Sequence, residues 1–288
     1  MDLTSMFVST QDSRPYHVLL LRVSDYAEQG EKAFLGGTFE VESYADLEKA
    51  AMLPNAGEIQ ELTDAPGGGY LISLTDPESF QINLMYGQER AQIDHSKFPK
   101  KLIINDVLDT PRKREFQRFK PGPAAVHKLG HYGLCVQDFP AQVDWYTKNF
   151  NLMPTDILYV DDANAQNAET IEGPESPKPK GKKDVAIFCH IDRGEEMVDH
   201  HTFFMSTNKT SHVHHASFEV HDCDTQMLGH AHLASKGYES VWGVGRHILG
   251  SQIFDYCTSF ELSNRTLAIL TAAGWDVHRN MIEVSGRM

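Results

Sequence analysis

Two stretches of this 288-residue chain share one short pattern, and each is followed by the same kinds of segment. The first, GGTFEV at 36–41, precedes an acidic helical pattern, a glycine-rich turn and the alternating run YLISLTDPESFQINLMYG. The second, HHASFEV at 214–220, precedes another helical pattern, the strand-like SQIFDY and, further on, WDVHRNMIE. Apolar residues at spacings of two predict strands, and those at spacings of three and four predict helices. The repeat therefore predicts two domains of similar architecture, each built from a strand, a helix and further strands.

The two copies differ at positions where one of them carries metal-binding side chains. Aligning FEV with FEV places Gly36 opposite His215. Aligning the DP of SLTDPES with the DV of GWDVH places Asn83 opposite Glu283. Imidazole and carboxylate groups are ligands of divalent metals. We therefore predict a single metal site, in the second copy.

Composition along the chain divides it into two domains and a connection. Residues 92–123 are charged and contain several prolines, which is typical of an interdomain linker. We predict an N-terminal domain over 1–91 that binds no metal and a C-terminal catalytic domain over 124–288 that does. Residues 161–183 are polar and rich in proline and lysine, and they predict a surface loop.

Charge and cysteine content exclude several classes of protein. The net charge of -14 argues against a nucleic-acid partner, because phosphate binding depends on clustered Lys and Arg. No apolar run approaches the length of a membrane span, and MDLTSMFVSTQDSRPYH lacks the basic and apolar regions of a signal peptide. The four cysteines form no CxxC pair, which favours a reducing compartment. We therefore predict a cytoplasmic protein that acts on a small molecule.

Three features of the C-terminal half supply metal donors: His131 in LGHYGL, His215 in HHASFEV and a carboxylate late in the chain. Strand alternation predicts that His131 shares a face with Leu129, and His215 with Ser217 and Glu219. Each histidine taken singly is more often a core or surface residue than a ligand. Two strand histidines with one carboxylate, however, form the facial triad of non-haem Fe(II) oxygenases, which leaves coordination positions open for substrate and dioxygen.

Four motifs, LGHYGLCVQD, HHTFFMS, HHASFEV and GVGRHILGSQIFDY, carry a resemblance to a known family. In this order they resemble the two-domain extradiol ring-cleavage dioxygenases of the catechol 2,3-dioxygenase and dihydroxybiphenyl dioxygenase type, within the vicinal oxygen chelate superfamily. The resemblance runs from about residue 16 to Tyr256. It implies an α+β fold of paired βαβββ modules that form two half-open barrels. The first module is incomplete here, because the family's first strand and helix have no counterpart.

The resemblance also implies ligands and reactants. It identifies His131 and His215 as the histidine ligands of Fe(II), a role in which Mn(II) also suits mixed imidazole and carboxylate ligation. His214, which alternation turns to the other strand face, is then a supporting or structural residue. The implied reactants are a catechol-type small molecule and dioxygen, and members of the family often form homo-oligomers.

Three further roles follow from the same motif matches. His200 in DHHTFF matches the histidine that lies over the dioxygen position, and neighbouring His201 is its rival. His247 in GRH matches a histidine that contacts the substrate oxygen. Tyr256 in FDY matches the tyrosine that hydrogen-bonds the substrate. Without the resemblance, GRH is equally a turn at a strand end and FDY equally core packing.

The carboxylate ligand falls where this chain departs from the family pattern. In the family, FDY continues through a Trp and an Asp to the strand that bears the glutamate ligand. Here CTSFELSNRTLAILTAAG, at 257–274, intervenes as a predicted loop or small helix. Setting it aside joins FDY to WDVHRNMIE and selects Glu283, in agreement with the internal repeat. Glu261 is the alternative ligand.

These features predict an Fe(II)-dependent extradiol dioxygenase that opens a catechol ring with dioxygen. The first alternative is a glyoxalase-like metal isomerase or a resistance enzyme on the same fold. The second is a binding relative without catalytic activity. Metal analysis combined with an oxygen-uptake assay distinguishes the three.

Overall fold

The computed structural model describes residues 5–7, 18–22, 34–89, 108, 119–161, 181–248, 252–258 and 267–272, giving the backbone alone for 5–7, 18–22, 127 and 267–272. The elements in chain order are β1 (Ser5–Phe7), β2 (Val18–Arg22), β3 (Gly37–Glu40), α1 (Tyr44–Ala51), β4 (Gln60–Glu61), β5 (Tyr70–Thr75), β6 (Gln81–Tyr86), β7 (Val126–Val136), α2 (Phe139–Asn149), β8 (Leu152–Asp161), β9 (Lys182–Ile191), β10 (Phe203–Thr207), β11 (His212–Val220), α3 (Cys223–Ser235), β12 (Ser240–Arg246), β13 (Ile253–Thr258) and β14 (Leu267–Ala272).

The strands form two sheets built from one repeated unit. Their orders are β1-β2-β3-β6-β5-β4 and β12-β13-β14-β11-β7-β10-β9-β8. Three βαβββ units follow one another along the described chain, and they begin at β3, β7 and β11. In each unit the first strand pairs in parallel with the last. Since neither sheet closes on itself within the described ranges, the predicted α+β fold of βαβββ modules in half-open barrels is confirmed.

Several boundaries differ from those that the sequence predicts. The strands β8 (Leu152–Asp161) and β9 (Lys182–Ile191) extend into the two ends of the predicted loop at 161–183. Most of the predicted linker and most of the predicted loop, at 90–107, 109–118 and 162–180, lie outside the described residues. None of the helices in the described ranges could cross a membrane.

The two copies of the FEV pattern occupy equivalent strands. Phe39 in β3 pairs with Leu84 of the parallel strand β6, and Phe218 in β11 pairs with Leu270 of the parallel strand β14. The predicted correspondence between β3 and β11 is therefore confirmed.

The side chain of Asn83 lies beside Gly36, the counterpart of His215 in the first copy. Asn83 is 2% exposed, donates its amide to the carbonyl of Leu35 at 2.8 Å and accepts the hydroxyl of Ser73 at 2.6 Å. Beside it, Gly36 has a φ of 92°, and a Cβ there would lie 2.2 Å from the carbonyl oxygen of Gln81. In the first copy, the space beside Gly36 is thus filled by an asparagine side chain that is hydrogen-bonded on both sides.

The two sheets share one hydrophobic core, centred on Tyr132 of β7. Its ring packs against Phe34 and Phe39, at centroid distances of 5.8 and 6.1 Å. A Cβ at Gly37 would lie 2.2 Å from the Tyr132 ring, so the close approach requires glycine. The N-terminal sheet therefore packs against the outer face of β7, the strand whose inner face carries His131.

Candidate metal centre

His131 and His215 lie next to each other on paired strands. Strands β7 and β11 run antiparallel, with Ser217 opposite His131 and Gly133 opposite His215, so that the histidines are diagonal neighbours. Their ring centroids are 5.0 Å apart, and the side chains are buried. The structure thus brings together the two histidines that the sequence selects.

Gly133 creates the space for this arrangement. A Cβ at Gly133 would lie 2.6 Å from the ring of Phe204 and 2.9 Å from that of His215. A glycine inside a strand often marks such a close approach. Gly133 is visible in the sequence motif LGHYGL, although the sequence alone does not reveal which ring approaches the glycine.

We expect Gly133→Ala to lower the affinity for a divalent metal by about tenfold or more, because the added methyl group displaces the His215 ring. Titration of the metal-free protein with Mn(II) or Fe(II) measures the change. Gly122→Ala is the matched control, since nothing lies within 4 Å of a Cβ there. Equal affinities in the two variants would contradict the role assigned to Gly133.

His214 supports His215 directly. Strand alternation predicts that His214 faces away, but a register shift between Val213 and His215 removes that constraint. The two Nδ1 atoms lie 2.7 Å apart, and His214 lines the same cavity. Because this contact occupies Nδ1 of His215, its Nε2 is the nitrogen left for a metal.

Both histidines of the pair are neutral in this setting. Burial, followed by the nearby His201 and His215, holds the pKa of His131 well below its ordinary value. Burial, followed by His214 and His201, does the same for the pKa of His215. Neutral imidazole is the form that binds a metal, so the donor chemistry fits a divalent cation.

The rival residues His200 and His201 occupy different places. The His201 ring lies 4.1 Å from that of His131, and burial lowers its pKa to about 3. His200 is one step further out, with Nδ1 3.0 Å from Nδ1 of His201 and Nε2 3.0 Å from Oδ2 of Asp156. The hydroxyl of Thr155 also donates to the His200 carbonyl at 2.6 Å. Of the two rivals, His201 is therefore the one in contact with His131.

His247 and Tyr256 lie together on another wall of the same cavity. The Tyr256 hydroxyl is 3.2 Å from Nε2 of His247. Burial raises the pKa of Tyr256 and lowers that of His247. At neutral pH the tyrosine therefore keeps its proton and the histidine is an acceptor. The cavity that these residues line together with His131 and His215 has a volume of about 510 Å³.

A bulge in β7 alters the predicted strand faces. The register passes from Ser217 opposite His131 to Phe218 opposite Leu129, so that one β7 residue, at 130, has no partner. Leu129 is 1% exposed and belongs to the core, whereas His131 lines the cavity. The prediction that these two share a face is wrong, because alternation cannot reveal an inserted residue.

The same bulge turns Lys128 towards the inner face, where it contacts two carboxylates. Its Nζ lies 2.9 Å from Oδ2 of Asp199 and 3.0 Å from Oε1 of Glu219. Both acidic residues line the cavity. Sequence reasoning missed this cluster, because its three members are distant in the chain and only the bulge aligns Lys128 with the others.

The predicted carboxylate ligands, Glu283 and Glu261, lie outside the described residues. The segment predicted as a loop or small helix instead contains β14, which pairs with β11 and β13. In the first copy Thr38 pairs with Asn83, and at the equivalent place Ser217 pairs with Ile269. Within the described ranges no three acidic, histidine or cysteine side chains form a group that could hold a metal ion. The described part therefore contains both histidines of the predicted triad, and neither candidate carboxylate.

Comparison with known proteins places this site in a family. The model of the Glyoxalase/Bleomycin resistance protein/Dioxygenase superfamily matches residues 128–258, which include both histidines of the pair and the opposite wall of the cavity. Residues 128–258, somewhat less than half of the chain, are thus similar to this superfamily. The matched part begins at the bulged strand β7 and ends with β13, so the superfamily region contains the whole described cavity.

Individual relatives agree with the superfamily assignment. Metapyrocatechase 2 of Cupriavidus necator is 37% identical over 73 residues, which are 25% of this chain and 22% of that protein. The Mn(II)-bound glyoxalase from Novosphingobium aromaticivorans aligns with a TM-score of 0.61 at 16% identity, over 96% of this chain and 74% of that one. Homoprotocatechuate 2,3-dioxygenase from Brevibacterium fuscum, in its anaerobic complex with 3,4-dihydroxyphenylacetate, aligns with a TM-score of 0.65 at 13% identity, over 100% and 73%. The fold of this chain is thus the one that these two solved structures share.

Proposed function

We propose that this chain is an extradiol dioxygenase, which breaks the ring carbon–carbon bond next to the two hydroxyl groups of a catechol and places both atoms of dioxygen in the product. The proposed cofactor is Fe(II), with Mn(II) as the substitute, held by His131, His215 and Glu283, and Glu261 is the alternative carboxylate. The observation that carries the proposal is the pairing of two buried, neutral imidazoles in a cavity that also contains His247 and Tyr256.

The metal, when bound, would act as a template that brings the catechol oxygens and dioxygen into adjacent positions. The residues of this chain around the metal would accept protons and donate hydrogen bonds. Neutral His247 is an acceptor for a catechol hydroxyl proton, and Tyr256, whose pKa burial raises, donates a hydrogen bond to the substrate oxygen. In the absence of substrate these two groups bond each other at 3.2 Å.

His200 and His201 are proposed to act next to the position where dioxygen would bind. The contact of His201 with His131 favours His201 as the residue that meets dioxygen, while His200 links His201 to the carboxylate of Asp156. Asp156 is partly exposed, so this chain of groups leads from the cavity towards solvent. Polar groups fixed at the reacting centre stabilise the charge that develops there.

The test is oxygen uptake by the full chain loaded anaerobically with Fe(II) and then mixed with catechol. We expect one dioxygen consumed per catechol, a yellow semialdehyde product, and no reaction with the Zn(II)-loaded protein. Stoichiometric metal without oxygen uptake, but with isomerisation of a hemithioacetal, would instead indicate a glyoxalase-like enzyme. Failure to bind any divalent metal would indicate a relative without catalytic activity.

A further inference from the structure

The ammonium group of Lys128 connects two carboxylates at the cavity wall. Its Nζ lies 2.9 Å from Oδ2 of Asp199 and 3.0 Å from Oε1 of Glu219. The three side chains are 13%, 10% and 10% exposed. Breaking such a buried contact is unfavourable, so the contact restrains the chain segments on both sides of it. None of the three residues has a task in the reaction proposed above.

Asp199 belongs to the connection between β9 and β10, residues 192–202, which also carries His201. The first half of this connection is mostly exposed, whereas Asp199 is buried. Exposed connections with few buried contacts are the parts of a fold that move most readily. The hydroxyl of Thr155 bonds a carbonyl of this connection at 2.6 Å and holds it to β8. The ion pair with Lys128 holds the same connection to β7, the strand that carries the first histidine of the metal-binding pair.

The ion pair and the contact between two histidine rings together close a ring of contacts. Lys128 and His131 are three residues apart on β7, and Asp199 and His201 are two residues apart on the connection. The ion pair joins the first member of each set, and the rings of the second members lie 4.1 Å apart. Movement of His201 away from His131 would therefore strain the ion pair. The bulge at residue 130 allows this arrangement, because it turns Lys128 towards the cavity.

Glu219 forms an equally short contact with the same ammonium group from a different kind of segment. It lies on β11, which is paired on one side with β7 and on the other with β14. The strand ladder already holds this residue in place, whereas Asp199 precedes β10 and lies outside a strand. The two carboxylates thus have the same charge and nearly the same distance to Lys128, but only Asp199 is on the segment that carries His201.

We propose that Lys128 is a positioning residue, whose contact with Asp199 holds the His201 ring beside His131. This inference rests on the proposed ring cleavage, in which His201 meets dioxygen, and it assigns the alignment of that ring to Lys128. A reacting group displaced by about 1 Å can cost as much as about 100-fold in rate. The contact should therefore matter for the reaction with dioxygen, and much less for catechol, whose proposed contacts lie on another wall of the cavity.

The experiment compares Asp199→Ala with Glu219→Ala in the Fe(II)-loaded full chain. Each variant removes one carboxylate and leaves Lys128 with the other, so the cluster has the same formal charge in both. We expect Asp199→Ala to lower kcat/KM for dioxygen by about tenfold or more, with KM for catechol within about threefold of the wild type. Glu219→Ala should lower kcat/KM for dioxygen by about threefold at most. Asp144→Ala is the control and should match the wild type, because Asp144 forms an exposed ion pair with Lys148 outside the cavity lining.

The position of His201 is measured independently of turnover, by NMR of the metal-free full chain. The His201 ring lies 5.0 Å from the ring of Phe188, so a displacement changes the chemical shifts of its ring protons. Loss of the signal in His201→Gln provides the assignment. We expect the signal to shift in Asp199→Ala and in Lys128→Met, which leaves two carboxylates without their cation. It should keep its position in Asp144→Ala.

Melting temperatures show whether each variant is folded, and Asp199→Asn, which keeps the size of the side chain and weakens the ion pair, is the second variant if Asp199→Ala is not. An unmoved His201 signal in the Asp199 variant would overturn the inference. Equal losses of dioxygen reactivity in the Asp199 and Glu219 variants would also overturn it. Absence of oxygen uptake in the wild type would refute the proposed function alone, because the NMR signal still decides whether the contact positions His201.

Discussion

His215→Ala is expected to release the metal and to reduce catechol turnover by at least about a hundredfold, since even loss of a residue that only supports a ligand costs 10- to 100-fold. His215 is buried beside His131 at a ring distance of 5.0 Å, and its Nδ1 is held by His214. His131→Ala should behave in the same way. In each variant the remaining imidazole and one carboxylate are too few to retain the ion against a chelator.

Metal content after dialysis, measured together with the melting temperature, separates loss of the site from loss of the fold. His215→Gln retains a polar side chain of similar size and should also lose the metal. His212→Ala serves as the control, because His212 lies on the same strand β11 outside the cavity lining. Full occupancy in His215→Ala would show that the ion binds elsewhere.

The second large effect is expected from Glu283→Gln. Neutralising a carboxylate ligand should lower Fe(II) affinity and turnover by about a hundredfold, whereas Glu261→Gln should leave both within about twofold. Comparing these two substitutions is informative because the strand β14, which pairs with β11, has no carboxylate among its six residues. Both candidates for the third ligand, Glu261 and Glu283, lie outside the described ranges.

Both substitutions remove one negative charge, so each is the control for the other. Metal titration followed by oxygen uptake provides the measurement. The reverse result would make Glu261 the ligand. Retention of Fe(II) by both variants would refute a triad that contains either glutamate.

The sequence predicted the repeated unit because apolar periodicity and the FEV pattern reflect burial, which the strands share. Phe39 and Phe218 accordingly occupy equivalent places, each beside a parallel neighbour strand. The choice of His131 and His215 as partners came instead from the resemblance to a known family, because register shifts adjoin both residues. Local pattern was sufficient wherever the sheet is regular.

Irregular pairing explains most of what the sequence did not predict. The unpaired residue at 130 puts Leu129 and His131 on opposite faces of the strand and directs Lys128 towards the cavity. The register shift at His214 brings a histidine that was predicted to face away into contact with His215. A bulge depends on pairing with another strand, which the local sequence does not record. The strand β14 was missed for a related reason, because LAILTA is too short to distinguish a buried strand from a helix.

The tight packing at Gly36 restricts which side chains the first copy of the repeat could accept. Residue 36 has a φ of 92°, and any Cβ there would lie 2.2 Å from the carbonyl oxygen of Gln81. A histidine at this position would require both a different backbone conformation and a wider separation from β6. No single substitution at residue 36 can therefore install an imidazole in the existing backbone. A variant with a cation in each barrel would have to be built by exchanging a whole strand pair.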